Sequence, residues 1–253
     1  MTSAPEPVDV GQVGRLARYP VKSAAGQSLT EAAVDARGLV HDRVWAVYTA
    51  DGGIASGKTS RRFRRVEGLL QWQGSASTAG SDRLPEVPEM TVAELRSPDG
   101  EVHRVDGPAA SAALSRALGQ PLQLRREGAV PHHDDCGVHV VTTSSLRRLE
   151  QLVGSPVDPS RLRANVVLDT AGTGFLEDEW EGAELALGPE VVLRLGAGMP
   201  RCVMVDQPQR EVAAEAGVLR ALGRAHDTEL GLQAEVLRPG TVRVGHRARL
   251  LRR

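Results

Sequence analysis

Short apolar runs closed by Gly, Pro or Asp dominate this chain, and they predict strands rather than long helices. Residues 13–21, 44–48, 69–73 and 91–95 have this character, as do 122–125, 138–141, 165–168, 191–195 and 202–205. Two further runs, 232–237 and 241–251, close the chain, with Pro239-Gly240 as the turn between them. A helical period shows in three places. Residues 109–118 place Ala110, Ala113, Leu114, Ala117 and Leu118 on one face and stop at Gly119. Residues 144–153 do the same with Leu146, Leu149, Leu152 and Val153 before Gly154, and residues 211–222 end at Gly223. The 74–89 stretch, rich in Ser, Gly and Pro, predicts a loop. Many strands with few helices predict a mainly β fold (α+β) of barrel-like architecture, with the topology left open.

Composition narrows the class. The 253 residues hold 31 Lys and Arg against 32 Asp and Glu, a balance that argues against a general nucleic-acid or anionic-membrane binder. The two cysteines, Cys136 and Cys202, are too few for a disulfide framework, and reduced thiols are the simpler reading. No run approaches the roughly 20 apolar residues of a membrane span. Residues 1–11 are acidic and contain proline, without the basic and apolar regions of a signal peptide, so a cytoplasmic protein is expected.

Polar chemistry gathers at strand ends. The segments are Tyr19-Pro20-Val21-Lys22-Ser23, His41-Asp42-Arg43, Ser56-Gly57-Lys58-Thr59 with its following arginines, His132-His133-Asp134-Asp135-Cys136, and Arg161-Leu162-Arg163-Ala164-Asn165. Arg forks, Lys point charges and Ser or Asn hydrogen bonds at such positions suit a phosphate-bearing ligand. The same cations would also serve as ordinary surface charges near turns. Residues 52–59 satisfy the P-loop spacing, but Ser60-Arg61-Arg62-Phe63 is a poor start for the helix that a P-loop needs, so the match reads as chance. The His132–Cys136 run lacks zinc spacing, since neighbouring side chains of an extended segment diverge. It reads as a polar rim. Cys202 follows a Gly-x-Gly-x-Pro turn, which presents a thiol at a strand mouth, where a thiolate suits a soft or high-valent metal.

Taken in order, these segments resemble the MOSC family with its N-terminal β-barrel domain, which includes the C-terminal domain of molybdenum cofactor sulfurase and the amidoxime-reducing component. The first domain is represented by Tyr19-Pro20-Val21-Lys22-Ser23 and by Gly38 through Asp42-Arg43-Val44-Trp45. The second is represented by Arg163-Ala164-Asn165-Val166-Val167, Phe175-Leu176-Glu177-Asp178-Glu179-Trp180, Leu187-Gly188, Arg201-Cys202 and Pro239-Gly240-Thr241-Val242-Arg243-Val244-Gly245. The resemblance implies a tail at 1–10, an N-terminal barrel domain at 11–125 and a MOSC domain at 126–253. It implies a molybdenum–molybdopterin cofactor, with Cys202 ligating the metal and Lys22, Ser23, Arg43, Arg163 and Asn165 contacting pterin and phosphate. Asp134-Asp135-Cys136 falls where relatives carry an Asp-Thr-Ser-like triplet, and Arg201 directly precedes the ligand. Asp178 or Glu177 is a candidate proton relay near the metal; both also read as surface acids before a core Trp.

The implied activity is reduction of N-hydroxylated or N-oxygenated small compounds. Electrons would come from a separate donor protein, because the sequence holds no haem, flavin or iron–sulfur motif. Two other functions share the same residues: sulfur transfer through a persulfide on Cys202, and carriage of molybdopterin without catalysis. An inert, buried Cys202 in a plain barrel would leave the basic strand ends without a purpose.

Overall fold

The computed structural model describes residues 6–77 and 93–251. The chain opens with β1 (Val8–Arg18), β2 (Gln27–Leu29), β3 (Glu31–Asp35) and β4 (Gly38–Leu39). Next come β5 (Trp45–Thr49), β6 (Ile54–Ser56), β7 (Phe63–Arg65), β8 (Gln73–Ala76), β9 (Ala93–Arg96) and β10 (Val102–Arg104). Helix α1 (Pro108–Leu118) and β11 (Leu122–Arg126) lead to β12 (Val138–Thr142), α2 (Thr143–Val153), β13 (Val166–Asp169), β14 (Glu184–Leu187) and β15 (Val191–Pro200). The chain ends with α3 (Val218–Ala225), β16 (Glu229–Arg238), β17 (Gly240–Arg243) and β18 (Arg247–Leu251).

Seven strands close a barrel in the order β13-β12-β16-β15-β14-β18-β1, with β1 returning to β13 and β2 attached outside the ring. Closure depends on β1 reaching two partners. It pairs Leu16 with Val166 across β13 and Val8 with Leu250 across β18. Gly11 permits the bend: its φ is 134°, and a Cβ there would lie 2.1 Å from the Asp169 carbonyl oxygen. Leu16, Val140, Leu168, Leu193, Leu232 and Trp180 fill the interior. Each such side chain contributes about 1.5–3 kcal/mol on burial. A second core, with Val47, Leu69, Trp72, Leu95 and Leu114, lies under the sheets β11-β5-β6-β7 and β10-β9-β8. The pairing crosses the expected 125/126 boundary, because β1 joins the C-terminal strands and β3 pairs with β17.

The mainly β, barrel-containing architecture is what the apolar pattern predicts. Both early helices match their expected ends. Pro108 opens α1 and Gly119 closes it at φ 68°; Thr142 caps α2 by accepting the Ser145 N–H, and Gly154 closes it. Five expectations need correction. The Gly-x-Gly-x-Pro stretch 196–200, expected as a turn after a strand ending at 195, continues strand β15 to Pro200 by pairing with β16. Residues 203–205 form a 3-10 turn rather than a strand, and residues 69–71 do likewise before β8. The third helix spans Val218–Ala225, so Gly223 lies inside it rather than at its end. The run 241–251 is two strands in two sheets, because the chain turns at Val244-Gly245-His246. The predicted 74–89 loop begins as strand β8, and its residues 78–89 lie outside the described residues. No helix follows Lys58; β7 does, which agrees with reading the P-loop spacing as chance. Among the described residues, no helix is long and apolar enough to cross a membrane.

Candidate functional site

One cleft takes lining residues from six chain segments, with about 720 Å³ of open space counting its mouth. The first segment leaves β1 at Tyr19 and is zipped to the second by backbone bonds. Arg43 N–H donates to the Tyr19 carbonyl at 2.8 Å, Trp45 N–H to Pro20 at 3.0 Å and Lys22 N–H to Trp45 at 2.7 Å. Asp42, fully buried, accepts the Tyr19 N–H at 2.7 Å and pairs with the Arg43 guanidinium. The 3-10 turn Pro159–Leu162, capped by Asp158, delivers Arg163. Residue Arg201 is pinned where its N–H donates to the Thr228 carbonyl at 2.7 Å, and Cys202 then opens the 3-10 turn Val203–Val205. Arg161 holds that turn from behind by donating to the carbonyls of Val205 at 3.2 Å and Gln207 at 3.3 Å.

The cleft is built for negative charge. Lys22, Arg43, Lys58, Arg161, Arg163 and Arg201 line it, against Asp134 and Asp135. Arg43 and Arg163 both stack on the Tyr19 ring, 5.1 and 4.4 Å from its centroid. Burial and then the neighbouring Arg43 charge draw Arg163 down to about 10. Burial draws the Lys22 ammonium down to about 8, although Asp134 pulls it upward. Burial also lowers Arg201, with Cys202 opposing the fall. Burial lowers Arg43 too, but Asp42 and Tyr19 together reverse the fall and leave it raised. Asp134 reaches Lys22 at 2.8 Å and Lys58 at 3.8 Å, so one carboxylate serves two ammonium groups.

Two signs of unmet demand coincide here. Ser23 Oγ, Arg163 Nη2 and Arg201 Nε are buried without a hydrogen-bond partner among the described residues. Each such buried group costs about 1–3 kcal/mol until an acceptor reaches it. Ser23, Arg43 and Arg163 also hold left-handed backbone at φ 67°, 54° and 54°. Non-glycine residues adopt that region at a cost of about 1–3 kcal/mol, and such residues gather at ligand sites.

Ten of the residues expected from sequence share this cleft: Lys22, Ser23, Arg43, Asp134, Asp135, Cys136, Arg163, Asn165, Arg201 and Cys202. Their arrangement differs in detail from expectation. The Asn165 amide is engaged with backbone, donating to the Ala17 carbonyl at 3.2 Å and accepting the His139 N–H at 3.1 Å. The Cys136 thiol donates to the Val138 carbonyl at 2.9 Å, and burial raises its pKa, so it keeps its proton. Asp178, the expected relay, does not line the cleft; its carboxylate binds His226 at 2.7 Å. Glu177 is fully buried and accepts from the Thr142 and Ser145 hydroxyls at 2.6 Å each, which ties it to the start of α2. Lys58, His139, Met199 and Met204 line the cleft without having been singled out as ligand contacts. Lys58 stands in one of the polar segments suited to phosphate, Met199 in the Gly-x-Gly-x-Pro stretch and Met204 in an apolar run.

A closed barrel with a cationic cleft and a thiol at its mouth defines the class of site. The family comparison agrees in extent: the MOSC N-terminal beta barrel domain matches residues 10–114 and the MOSC domain matches residues 127–249. The chain belongs to this family. Molybdenum cofactor sulfurase of Danio rerio is 25% identical over 248 residues, covering 81% of this chain and 29% of that protein. The chain therefore spans less than a third of that relative's length. The YUAD protein of Bacillus subtilis shares the fold, with a TM-score of 0.52 over 97% of each chain at 15% identity. YiiM of Geobacillus stearothermophilus is 16% identical, with a TM-score of 0.37 over 47% of this chain and 56% of that one.

Proposed function

We propose that this protein is a molybdenum-cofactor oxidoreductase that reduces N-hydroxylated or N-oxygenated small compounds. The observation that carries the reading is the convergence of the Cys202 thiol with three buried donors that have no partner among the described residues: Ser23 Oγ, Arg163 Nη2 and Arg201 Nε. Molybdopterin fits that donor set: it carries a phosphate and a polar pterin, and its metal would supply the two-electron chemistry when bound. Lys22, Ser23, Arg43, Arg163 and Arg201 would hold the phosphate and pterin, and Cys202 would be the protein's ligand to the metal. Cys136 would act as a neutral hydrogen-bond donor in place of a hydroxyl, because its proton is retained. Lys22 is the group in the cleft that can give up a proton near pH 8. Buried cations exert more force on an anion than exposed ones, since water screens them less. A separate electron-donor protein and a cytoplasmic location belong to the same proposal.

The test is reduction of an N-hydroxylated amidine by cofactor-loaded protein with an artificial electron donor. Activity in the wild type and its loss in Cys202→Ala supports the reading. Equal rates in both proteins would refute it.

A second reading is sulfur transfer through a Cys202 persulfide. It is favoured by the adjacent Arg201, whose positive charge Cys202 supports, and by the likeness to molybdenum cofactor sulfurase. Intact-mass analysis separates the two: a one-sulfur adduct on Cys202 that passes to a thiol acceptor would favour transfer.

A further inference from the structure

His226 follows α3, and both of its ring nitrogens face acceptors. Nδ1 lies 2.8 Å from the Glu229 carbonyl oxygen, and Nε2 lies 2.7 Å from Asp178 Oδ2. Neither a carbonyl nor an ionised carboxylate can donate. Both bonds therefore form together only when both ring nitrogens carry protons, which makes the ring an imidazolium. Phe175 stacks on one face, with centroids 3.7 Å apart and planes 19° from parallel. The charged groups facing the ring are Asp178, from the 3-10 turn Leu176–Trp180, and Glu229, at the start of β16. From α3, the Leu222 carbonyl accepts the His226 backbone N–H at 2.7 Å. Burial lowers the His226 pKa, but the Glu229 carbonyl and Asp178 together carry it above the usual histidine value.

The chain beyond His226 is strained. Asp227 and Thr228 hold φ of 45° and 63°, left-handed values for residues with a Cβ. Such a turn persists only when its surroundings fix it. The Thr228 carbonyl is the group that accepts the Arg201 N–H at 2.7 Å, one residue before Cys202.

We propose that His226 and Asp178 are positioning residues for the Cys202 thiol. Their charged hydrogen bond clamps the 226–228 turn, and the turn fixes the backbone of Arg201 and so the loop that presents Cys202. This assigns Asp178 a role through the loop rather than at the reacting atoms. It rests on Cys202 being the working thiol of the cleft, and holds whether that thiol binds metal or carries sulfur. The sign follows from linkage: the folded pKa of His226 is raised, so the clamp is fully present below the unfolded histidine value of 6.5 and is lost as pH rises through the folded value.

The test is NMR on the full chain without added metal. Imidazole nitrogen shifts report the protonation of His226, and amide exchange reports the Arg201 N–H, with Val47 in β5 as the distant reference. At pH 6.5, the ordinary histidine value, the His226 ring is expected to be protonated in most molecules. As it deprotonates, Arg201 protection is expected to fall about two- to fivefold relative to Val47, the loss of one partly exposed charged pair. Asp178→Asn moves that step to lower pH, and His226→Gln removes it. A His226 ring that is mostly neutral at pH 6.5, or an Arg201 protection that ignores its titration, overturns the proposal. Metal content does not enter this result, so its failure and that of the molybdenum reading are told apart.

Discussion

Arg163 concentrates the site in one side chain. It ends a 3-10 turn in left-handed backbone, lays its guanidinium 4.4 Å from the Tyr19 centroid, donates from one nitrogen to the Ala24 carbonyl at 2.7 Å and leaves another without a partner among the described residues. That spare donor is where an anion gains most. Arg163→Met is expected to weaken sulfate binding, measured by calorimetry, by roughly ten- to a hundredfold, the worth of a charged hydrogen bond of about 1.5–3 kcal/mol. Lys22 adds a pH dependence. Its ammonium in the free protein sits at about 8, so above that pH each bound anion must draw a proton from solution. Sulfate affinity should fall with rising pH above about 8, by up to tenfold per pH unit. Lys22→Arg, which stays charged, should flatten that fall. A slope unchanged by the substitution would place the titrating group elsewhere.

At the scale of the element, α2 depends on a buried acid. Glu177 accepts both the Thr142 capping hydroxyl and the Ser145 hydroxyl. Glu177→Ala strands these groups and is expected to cost about 1–3 kcal/mol, a fall in Tm of roughly 2–4 °C for each kcal/mol, followed by circular dichroism. Helices α1 and α2 were legible because their signals are local: a period, a cap and a closing glycine. The 202–205 segment was not, because Val203-Met204-Val205 reads the same in a strand and in a 3-10 turn. The distant Arg161 decides between them by binding the Val205 carbonyl. The site divides along the same line. Lys22, Ser23, Arg43, Arg163 and Cys202 stand at strand ends and could be named from the chain. The engagement of the Asn165 amide with Ala17 and the turning of Asp178 toward His226 are tertiary facts that no local pattern carries.

Across the whole molecule, the cleft exists because the barrel and the smaller sheets meet. The Arg163 guanidinium of the C-terminal half donates to Ala24 of the N-terminal half, and the Gln207 side chain donates to the Gly57 carbonyl at 2.7 Å. Strand β1 completes the barrel from the other end of the sequence. The two cores should therefore unfold together. Single-tryptophan variants reporting on Trp72 and on Trp180 are expected to share one urea midpoint, and two midpoints would show the cores melting separately. The proposed function requires this shared cleft to hold molybdenum through Cys202. Metal and pterin analysis of protein purified from a host replete in the cofactor tests it most directly. About one molybdenum per chain is expected in the wild type and in Cys136→Ala, with the metal lost from Cys202→Ala. Wild-type protein carrying neither molybdenum nor pterin, or Cys202→Ala retaining a full complement of metal, would contradict it.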